Sequence, residues 1–599
     1  MKRAACYLAP PLICLAVFWR VPFLWFRTDD FAWLTLHQRV HDLPSLARAL
    51  FHPEAQGTVR VLSDRLYFLI LSSLFGDWAA PFRLCSLATW FGALTLANAI
   101  GFRLTGSRLA GMAAAILWTT SYVIVVPLAW AAAYNQLLCA FFVLAALYAR
   151  TRWLDSGERK WLAAEWAAYV LGFGALEITV MYPAAALLYT WCVARRKDST
   201  VFALFVPAAI FGAAYFLFIP RTPSATYQVT ADARLFSTVI EYVRLALAPE
   251  GVPIRKILAT ALGGFFVWRL WRRDWAILFG AGWFMLFLVP VLPLPNHISI
   301  YYLTIPLAGL AWFFASGLAL AWRTNRIAGA ASTMFAVLFL AGSVPTINAD
   351  TEWWLEHTSR MRLLVRGGEE MADRQPTSAL ILKDVDNELF QTGLQDHPFR
   401  LAGIDQVYLA PGSEMGIVAR EDLGGVSPFR ISTDDCLGLL ESGRGRVLEV
   451  SAGGPLDVTA PYHAALRAEF AATHRGFVDV GDARYASDLG TGWYEPERGF
   501  RWMGKSASVE LAGPASQAER LYVTGYGGAL VTLRFRASGL DLGSLAVRQM
   551  NQPFAADFSL PPALVGRHTM EVSIESSSTF RPPGDPRDLG IIFGTFAVR

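Results

Sequence analysis

Residues 4–26 read AACYLAPPLICLAVFWRVPFLWF, and the next four are Arg27-Thr28-Asp29-Asp30. At about 1.5 Å of rise per residue, a helix over this run is just long enough to cross a hydrocarbon core of about 30 Å. Two carboxylates then stand where such a helix leaves the hydrocarbon. Ionisable groups at that depth are costly and mark a site more often than decoration. The run lacks a small-residue cleavage site and is too long for a signal-peptide core, so it reads as a retained anchor.

Further apolar stretches follow at about 80–101, 109–128, 131–149, 161–177, 178–193, 201–219, 257–271, 275–295, 298–321 and 327–347, making eleven expected spans. Placing Lys2 and Arg3 in the cytoplasm puts Arg103, Arg108, Arg150, Arg152, Arg159, Lys160, Arg195, Arg196, Lys197, Arg269, Arg272, Arg273, Arg323 and Arg326 on the same side. Every expected inner loop is then basic, as the positive-inside rule requires. The amino terminus is expected inside and the large carboxy-terminal part outside.

The wider composition agrees. Of 599 residues, 54% are hydrophobic and 17% charged, the balance of a polytopic membrane protein with a soluble part. A net charge of +4 with no basic stripe excludes a nucleic-acid partner. Five of the six cysteines (Cys6, Cys14, Cys85, Cys139, Cys192) lie in apolar segments and only Cys436 in the soluble part, so no disulfide framework is present there.

The same alternation places distant polar residues on one membrane face. Asp29, Asp30, Arg60, Tyr134, Glu177 and the Asn296-His297 pair all fall at outer ends of spans. Between the first two spans, residues 31–50 and 62–75 mix Trp, Tyr and Arg with apolar residues, as helices lying at the headgroup level do. The outer segment 220–256, with Tyr227, Arg234, Tyr242 and Arg244, is a candidate cover for such a site.

These residues resemble the polytopic GT-C-fold glycosyltransferases that use lipid-linked sugars, including the protein O-mannosyltransferase and aminoarabinose-transferase group. The likeness covers roughly residues 1–350. It rests on the acidic pair in RTDDFAWL (27–34), on Arg60-Val61-Leu62-Ser63, and on LFGDWAAPFRLCSLATWFGALTL (74–96) followed by LTGSRLAGMAAAILW (104–118). Leu176-Glu177-Ile178-Thr179 ahead of Pro183 matches a later motif without its basic residue, and LPLPNHISIYYLTIPLAGLAW (292–312) matches a late His/Tyr stretch. The resemblance implies a polyprenyl-phosphate-linked sugar as donor, a glycan, lipid or protein as acceptor, and a bacterial inner membrane with the site on the periplasmic face. It also implies inversion at the anomeric carbon and assigns Asp29 as general base, with Asp30 orienting it or binding acceptor.

Such a reaction needs a base on the acceptor side and cations for the departing phosphate. Arg60 is the first phosphate candidate because its fork matches phosphate oxygens, with Arg65, His297 and Tyr301 behind it. Glu177 and Tyr134 are candidates for positioning acceptor or donor. Plainer roles stand beside each. Asp30 can cap an interfacial helix, Arg60 can anchor at headgroups, Glu177 can pair with an arginine, and His297 with Tyr301 and Tyr302 can belong to an interfacial belt. Asp29, Asp30 and Glu177 together suit a hard divalent cation, although no metal is required and no His/Cys spacing suits zinc.

After Asn348 the long apolar runs stop. Residues 352–374 read as an amphipathic connector helix, and SALIL (378–382) and QVYL (406–409) as strands flanking a helix near 388–394, so a small α/β module is expected over 350–475. From 476 to 599, SASVEL (506–511), RLYVTGY (520–526), ALVTLRF (529–535) and TMEVSIE (569–575) alternate between turns, the pattern of a β-sandwich. Trp493 and Trp502, in GWYEPERGFRWMG (492–504), can stack on sugars or simply fill the core. The expected plan is a GT-C-like transmembrane catalytic domain over 1–349, about eleven helices, followed by extracytoplasmic α/β and β-sandwich domains. Two other functions fit part of this pattern: a glycan block ligase using a polyprenyl-diphosphate donor, and a non-catalytic lipid-linked-sugar transporter or assembly scaffold.

Overall fold

The computed structural model describes the chain except residues 1–2, 54–57, 219–227, 231, 250–253, 375–377, 421–423, 452, 474–475 and 498. It has two units, Met1–Ser432 with Leu439–Val458, and Thr433–Gly438 with Thr459–Arg599.

In the first unit each of the eleven apolar segments contains helix, but the lengths differ. Three helices among the described residues are long and apolar enough to cross a membrane: Ala79–Thr105, Ala131–Ser156 and Arg326–Arg374. Arg108–Thr119 and Tyr122–Ala129 make a fourth together, bent by 57°. Helix length alone therefore does not carry a count of eleven crossings. The opening run corrects the expectation of one continuous span. Its α-helix is Arg3–Val17, and Val21–Phe23 is a separate 3₁₀ turn. Pro22 keeps the second turn from rejoining the helix, because it has no N–H to offer the helix ladder.

Tryptophan side chains stitch the helices through backbone carbonyls. Trp118 Nε1 donates to Thr304 O at 2.8 Å, Trp283 Nε1 to Ile305 O at 3.0 Å, and Trp312 Nε1 to Ala97 O at 2.9 Å. An ion cluster closes another corner: Arg150 and Glu165, both fully buried, meet at 2.9 Å, and Arg150 also reaches Asp198 at 2.9 Å.

The expected interfacial region forms several short pieces. Asp30–Leu34 and Leu43–Phe51 are α-helical, the second opened by an Asp42–Ser45 capping box. Val61–Leu66 is a widened π-type turn that leads into Tyr67–Phe75. In the candidate cover segment, Tyr227 and its neighbours over 219–227, with 231 and 250–253, lie outside the described residues; Arg234–Leu247 is an amphipathic helix.

The last apolar segment and the connector are one helix, Arg326–Arg374. At about 1.5 Å per residue it far exceeds a bilayer's core, so its second half leaves the apolar stretch and packs on a small sheet. That sheet has strands β1 (Ala379–Lys383), β2 (Gln406–Leu409), β3 (Gly445–Ser451) and β4 (Gly454–Asp457) in the order β2-β1-β3-β4. β1 runs parallel to β2 and β3, and β4 is antiparallel to β3. Arg366 Nη2 ties the helix to Asp77 at 2.8 Å, and His357 Nε2 lies 2.7 Å from Glu388 Oε2.

The second unit holds β5 (Phe477–Asp479), β6 (Arg501–Trp502), β7 (Ser506–Leu511), β8 (Arg520–Tyr526), β9 (Val531–Ala537), β10 (Leu540–Val547), β11 (Pro553–Ser559), β12 (Met570–Ser576) and β13 (Ile592–Val598). They form two antiparallel sheets, β10-β9-β12-β7 and β11-β8-β13-β5, with β6 beside β13. Inward residues of both, among them Phe535, Val572, Val523 and Phe593, share one hydrophobic core.

Candidate active site

The path out of the first helix is fixed by two bonds. Arg83, fully buried, donates from Nη2 to Trp25 O at 2.6 Å. Thr28 then takes a positive φ of 43°, and its N–H donates to Thr392 O at 2.9 Å. The next residue opens the helix Asp30–Leu34. This bend separates the two acids by role. Asp30 is fully buried: its Oδ2 accepts from Arg27 N at 3.1 Å and its Oδ1 from Ala132 N at 2.7 Å. Both oxygens serve backbone donors, so Asp30 fastens the loop to residue 132 rather than facing a ligand. Burial pushes its carboxyl up to about 6, against the pull of Arg83 and the two backbone donors.

Asp29 points the other way. It makes no capping bond and lines a cavity of about 310 Å³ together with Arg60, Asp64, Asn135, Glu177 and Tyr301. Burial raises its carboxyl above the ordinary value, opposed chiefly by Arg27, then by its own backbone N–H and by Arg60. Trp33, Trp130 and Tyr302 add aromatic wall. Two other cavities, of about 40 and 320 Å³, are lined almost wholly by apolar side chains and hold no ionisable group in reach of chemistry.

Arg60 is held from two sides. Its Nε donates to Glu177 Oε1 and Oε2 at 3.0 and 3.1 Å, and its Nη1 to Asp64 Oδ2 at 3.4 Å. Asp64 Oδ1 accepts from Ser63 Oγ at 2.8 Å and from Asn135 Nδ2 at 3.4 Å. The π-type turn brings these groups together because Leu62 N donates to Gly174 O at 2.8 Å, which docks the loop ahead of Glu177. A Cβ on Gly174 would lie 2.8 Å from Leu62 Cγ, so the approach needs glycine there. Such turns recur at functional sites.

The other sequence candidates are placed as follows. Tyr301 lines the cavity, with its ring centroid 6.2 Å from that of Trp130, and His297 Nε2 sits 3.3 Å from the Tyr301 hydroxyl. Arg65 does not line the cavity: it is buried with its Cζ 4.2 Å over the Trp33 ring and its Nη2 donating to His52 O and Thr58 O. Tyr134 is also buried outside it, stacked on Tyr67 at 4.1 Å, with its hydroxyl 3.0 Å from Thr89 Oγ1. In the second unit, Trp493 donates from Nε1 to Ser508 O at 2.6 Å and packs edge-on against Phe593 and Phe596, while Trp502 packs against Phe580. The trio Asp29, Asp30 and Glu177 does not converge on a cation, since Asp30 serves backbone donors and Glu177 faces Arg60. Among the described residues no group of three or more His, Cys, Asp or Glu is arranged for a metal ion.

The cavity residues Asn135, Trp33 and Trp130 carry no signal in the sequence beyond their type. Asp64 had a local cue, its i,i+4 spacing from Arg60.

No protein-family model matches the chain, and no curated protein matches it. Several solved structures are similar to it, among them these three. ArnT from Cupriavidus metallidurans bound to undecaprenyl phosphate is 13% identical, with a TM-score of 0.37 over 74% of this chain and 92% of that one. The archaeal oligosaccharyltransferase AglB from Archaeoglobus fulgidus, in complex with an inhibitory peptide and a dolichol-phosphate, is 9% identical, with a TM-score of 0.44 over 96% and 95%. Arabinosyltransferase EmbB from Mycobacterium smegmatis is 11% identical, with a TM-score of 0.32 over 99% and 64%. The second and third are named as sugar transferases, an oligosaccharyltransferase and an arabinosyltransferase. At these identities and scores the roles of individual residues rest on this chain's own geometry.

Proposed function

We propose that the chain is a polytopic membrane glycosyltransferase that moves a sugar from a polyprenyl-phosphate donor to an acceptor outside the cytoplasm. One observation carries the reading: Asp29 opens into the same cavity as an arginine clamped by Glu177 and Asp64. A base and a phosphate partner facing one polar space of ligand size are what the reaction requires. In the transfer, Asp29 takes the proton of an acceptor hydroxyl as that oxygen bonds to the anomeric carbon. The carbon–oxygen bond to phosphate breaks in the same displacement, and the leaving phosphate keeps the electron pair. Arg60, oriented by Glu177, faces the developing charge with the Tyr301 hydroxyl beside it. The single displacement inverts the anomeric carbon.

The finer layout belongs to the same proposal. Eleven crossings put the amino terminus in the cytoplasm and the small sheet module and two-sheet unit outside a bacterial inner membrane, the latter as a β-sandwich. The test is transfer of labelled sugar in membranes holding wild type or Asp29→Asn at matched protein levels, with a panel of undecaprenyl-phosphate sugars as donors. Transfer by wild type and its loss in Asp29→Asn with donor binding retained supports the reading. Equal transfer by both removes Asp29 as base, and no transfer by wild type moves a diphosphate-using ligase or a transporter ahead.

A further inference from the structure

The helix Tyr182–Leu188 runs into a second widened π-type turn, Tyr189–Val193, and a loop follows before the apolar helix Thr200–Tyr215. Ala194 N donates to Tyr189 O and Arg196 N to Thr190 O, both at 2.9 Å, and Arg195 between them takes a left-handed φ of 52°. Arginine rarely adopts that conformation, and residues held in it gather at functional sites. The loop brings Arg195, Arg196 and Lys197, all exposed, to the lining of a cavity of about 480 Å³. Trp191 and Phe202 line it too, their exposed rings meeting edge-on with centroids 5.5 Å apart.

Three successive cations repel one another unless an anion is at hand. Among the described residues no ion pair engages any of the three. The acid in the lining, Asp198, is already taken. Its Oδ2 accepts from Nη1 of the buried Arg150 at 2.9 Å, from Trp153 Nε1 at 2.7 Å and from Thr200 Oγ1 at 2.9 Å, and its Oδ1 accepts from Thr200 N at 3.0 Å. The helix that follows adds an apolar feature. Phe202, Val206 and Ile210 stand four residues apart on Thr200–Tyr215 and all three are exposed, so an apolar stripe leads from the cavity along one helix face.

We propose that this cavity is a lipid site: Arg195, Arg196 and Lys197 hold the phosphate of an anionic phospholipid, and its acyl chain lies along Phe202, Val206 and Ile210. Guanidinium forks match phosphate oxygens, and tryptophan is at home at headgroup level, where Trp191 would stand. A free phosphate would satisfy the cations and leave the apolar stripe without a role; a phospholipid uses both. The alternation of basic loops expects this end of the helices on the cytoplasmic side, where anionic headgroups attract basic pockets. None of the residues lining this cavity lines the one that holds Asp29, so the proposal stands apart from the transferase reading.

The experiment is native mass spectrometry of the delipidated full chain in neutral detergent, titrated with phosphatidylglycerol or with phosphatidylcholine of the same chain length. One phosphatidylglycerol is expected to bind saturably and at least about tenfold more tightly than phosphatidylcholine. Arg195→Gln with Arg196→Gln should weaken that binding by about tenfold or more, whereas Arg323→Gln with Arg326→Gln, an equal charge loss at exposed positions in another expected inner loop, should change it by less than about twofold. Val206→Gln with Ile210→Gln should weaken it by about threefold or more, and millimolar inorganic phosphate should not displace the lipid. Equal weakening by the two arginine pairs would reduce the effect to diffuse attraction and overturn the site, as would equal binding of both lipids. Displacement by inorganic phosphate, or indifference to the Val206 and Ile210 changes, would make the ligand a free anion and overturn the lipid assignment.

Discussion

Arg60 and Glu177, 117 residues apart in the chain, meet with Arg60 Nε 3.0 Å from Glu177 Oε1. Each side chain is about a quarter exposed or less, so the pair is neither a surface ion pair of little consequence nor a fully desolvated one. Removing Glu177 leaves Arg60 with Asp64 alone; removing Arg60 leaves two acids facing each other. The two truncations to alanine are therefore expected to be non-additive, with a coupling of about 1–3 kcal/mol in a double-mutant cycle on unfolding. Strict additivity would show that the contact orders nothing.

The two neighbouring acids should respond differently to the same change. Asp29→Asn is expected to lower transfer by about a hundredfold or more, the scale of a lost general base, with thermal stability close to wild type. Asp30→Asn is expected to cost about 1–3 kcal/mol of stability, because one backbone N–H then faces an amide donor instead of an acceptor. The pH dependence has a definite sign. With its folded value near 6 and an ordinary value of 3.8, Asp30 keeps a proton in the folded chain that the unfolded chain has shed, so wild-type stability falls as pH rises through that window. The gap between wild type and Asp30→Asn should thus be widest near the acid end and narrow by about pH 8. Melting curves of both proteins across pH measure it.

The site was legible where a local pattern and sidedness met. The Asp29-Asp30 pair, Arg60, Tyr134, Glu177 and the Asn296-His297 pair could be gathered on one face from the alternation of basic loops; of these the cavity is lined by Asp29, Arg60 and Glu177, with Tyr301 beside them. Sequence order could not say which acid of the pair faces a ligand, because that depends on the bend at Thr28 and on donors from residues 27 and 132. Arg65 and Tyr134 have suitable chemistry and the expected location, yet ring packing against Trp33 and Tyr67 turns them away. The Thr392 contact was out of reach, since nothing near it in the sequence tells that its turn docks on Thr28. The strands were read well, as QVYL and SASVEL show, because period-two alternation is local. The break after Val17 and the fusion of span and connector in Arg326–Arg374 were not, because mean hydropathy is blind to a single proline and to a helix that continues past its apolar part.

Arg27 gives a prediction for the pH profile of transfer. Its charge is the largest influence holding Asp29 down against burial, and Asp29 must be ionised to accept a proton. Arg27→Gln is expected to shift the acid limb of kcat to higher pH by roughly one unit, whatever it does to the maximum. Its own guanidinium is held down to about 9 by burial, so the limb should be read below that pH, where Arg27 is charged in wild type. A limb at the same pH in both proteins would mean that Asp29 does not feel Arg27, and that the base is another group.

The close approach at Gly393 gives a prediction that separates docking from folding. Phe31 is 1% exposed, so its ring has nowhere to retreat from a side chain placed 2.5 Å from its Cε2. Gly393→Val should therefore push the 392–397 turn off the catalytic loop and break the Thr28–Thr392 bond, while the core of the small sheet, Ala379–Lys383 paired with Gly445–Ser451, keeps its hydrogen bonds. Hydrogen exchange reads both effects in one experiment. Faster exchange at the Thr28 amide with unchanged protection of the strand amides is the expected outcome, accompanied by a transfer rate lower by about tenfold, since small displacements of a base are costly. Equal loss of protection in loop and strands would show that Gly393 serves folding of the module as a whole rather than its seat on the Asp29 loop.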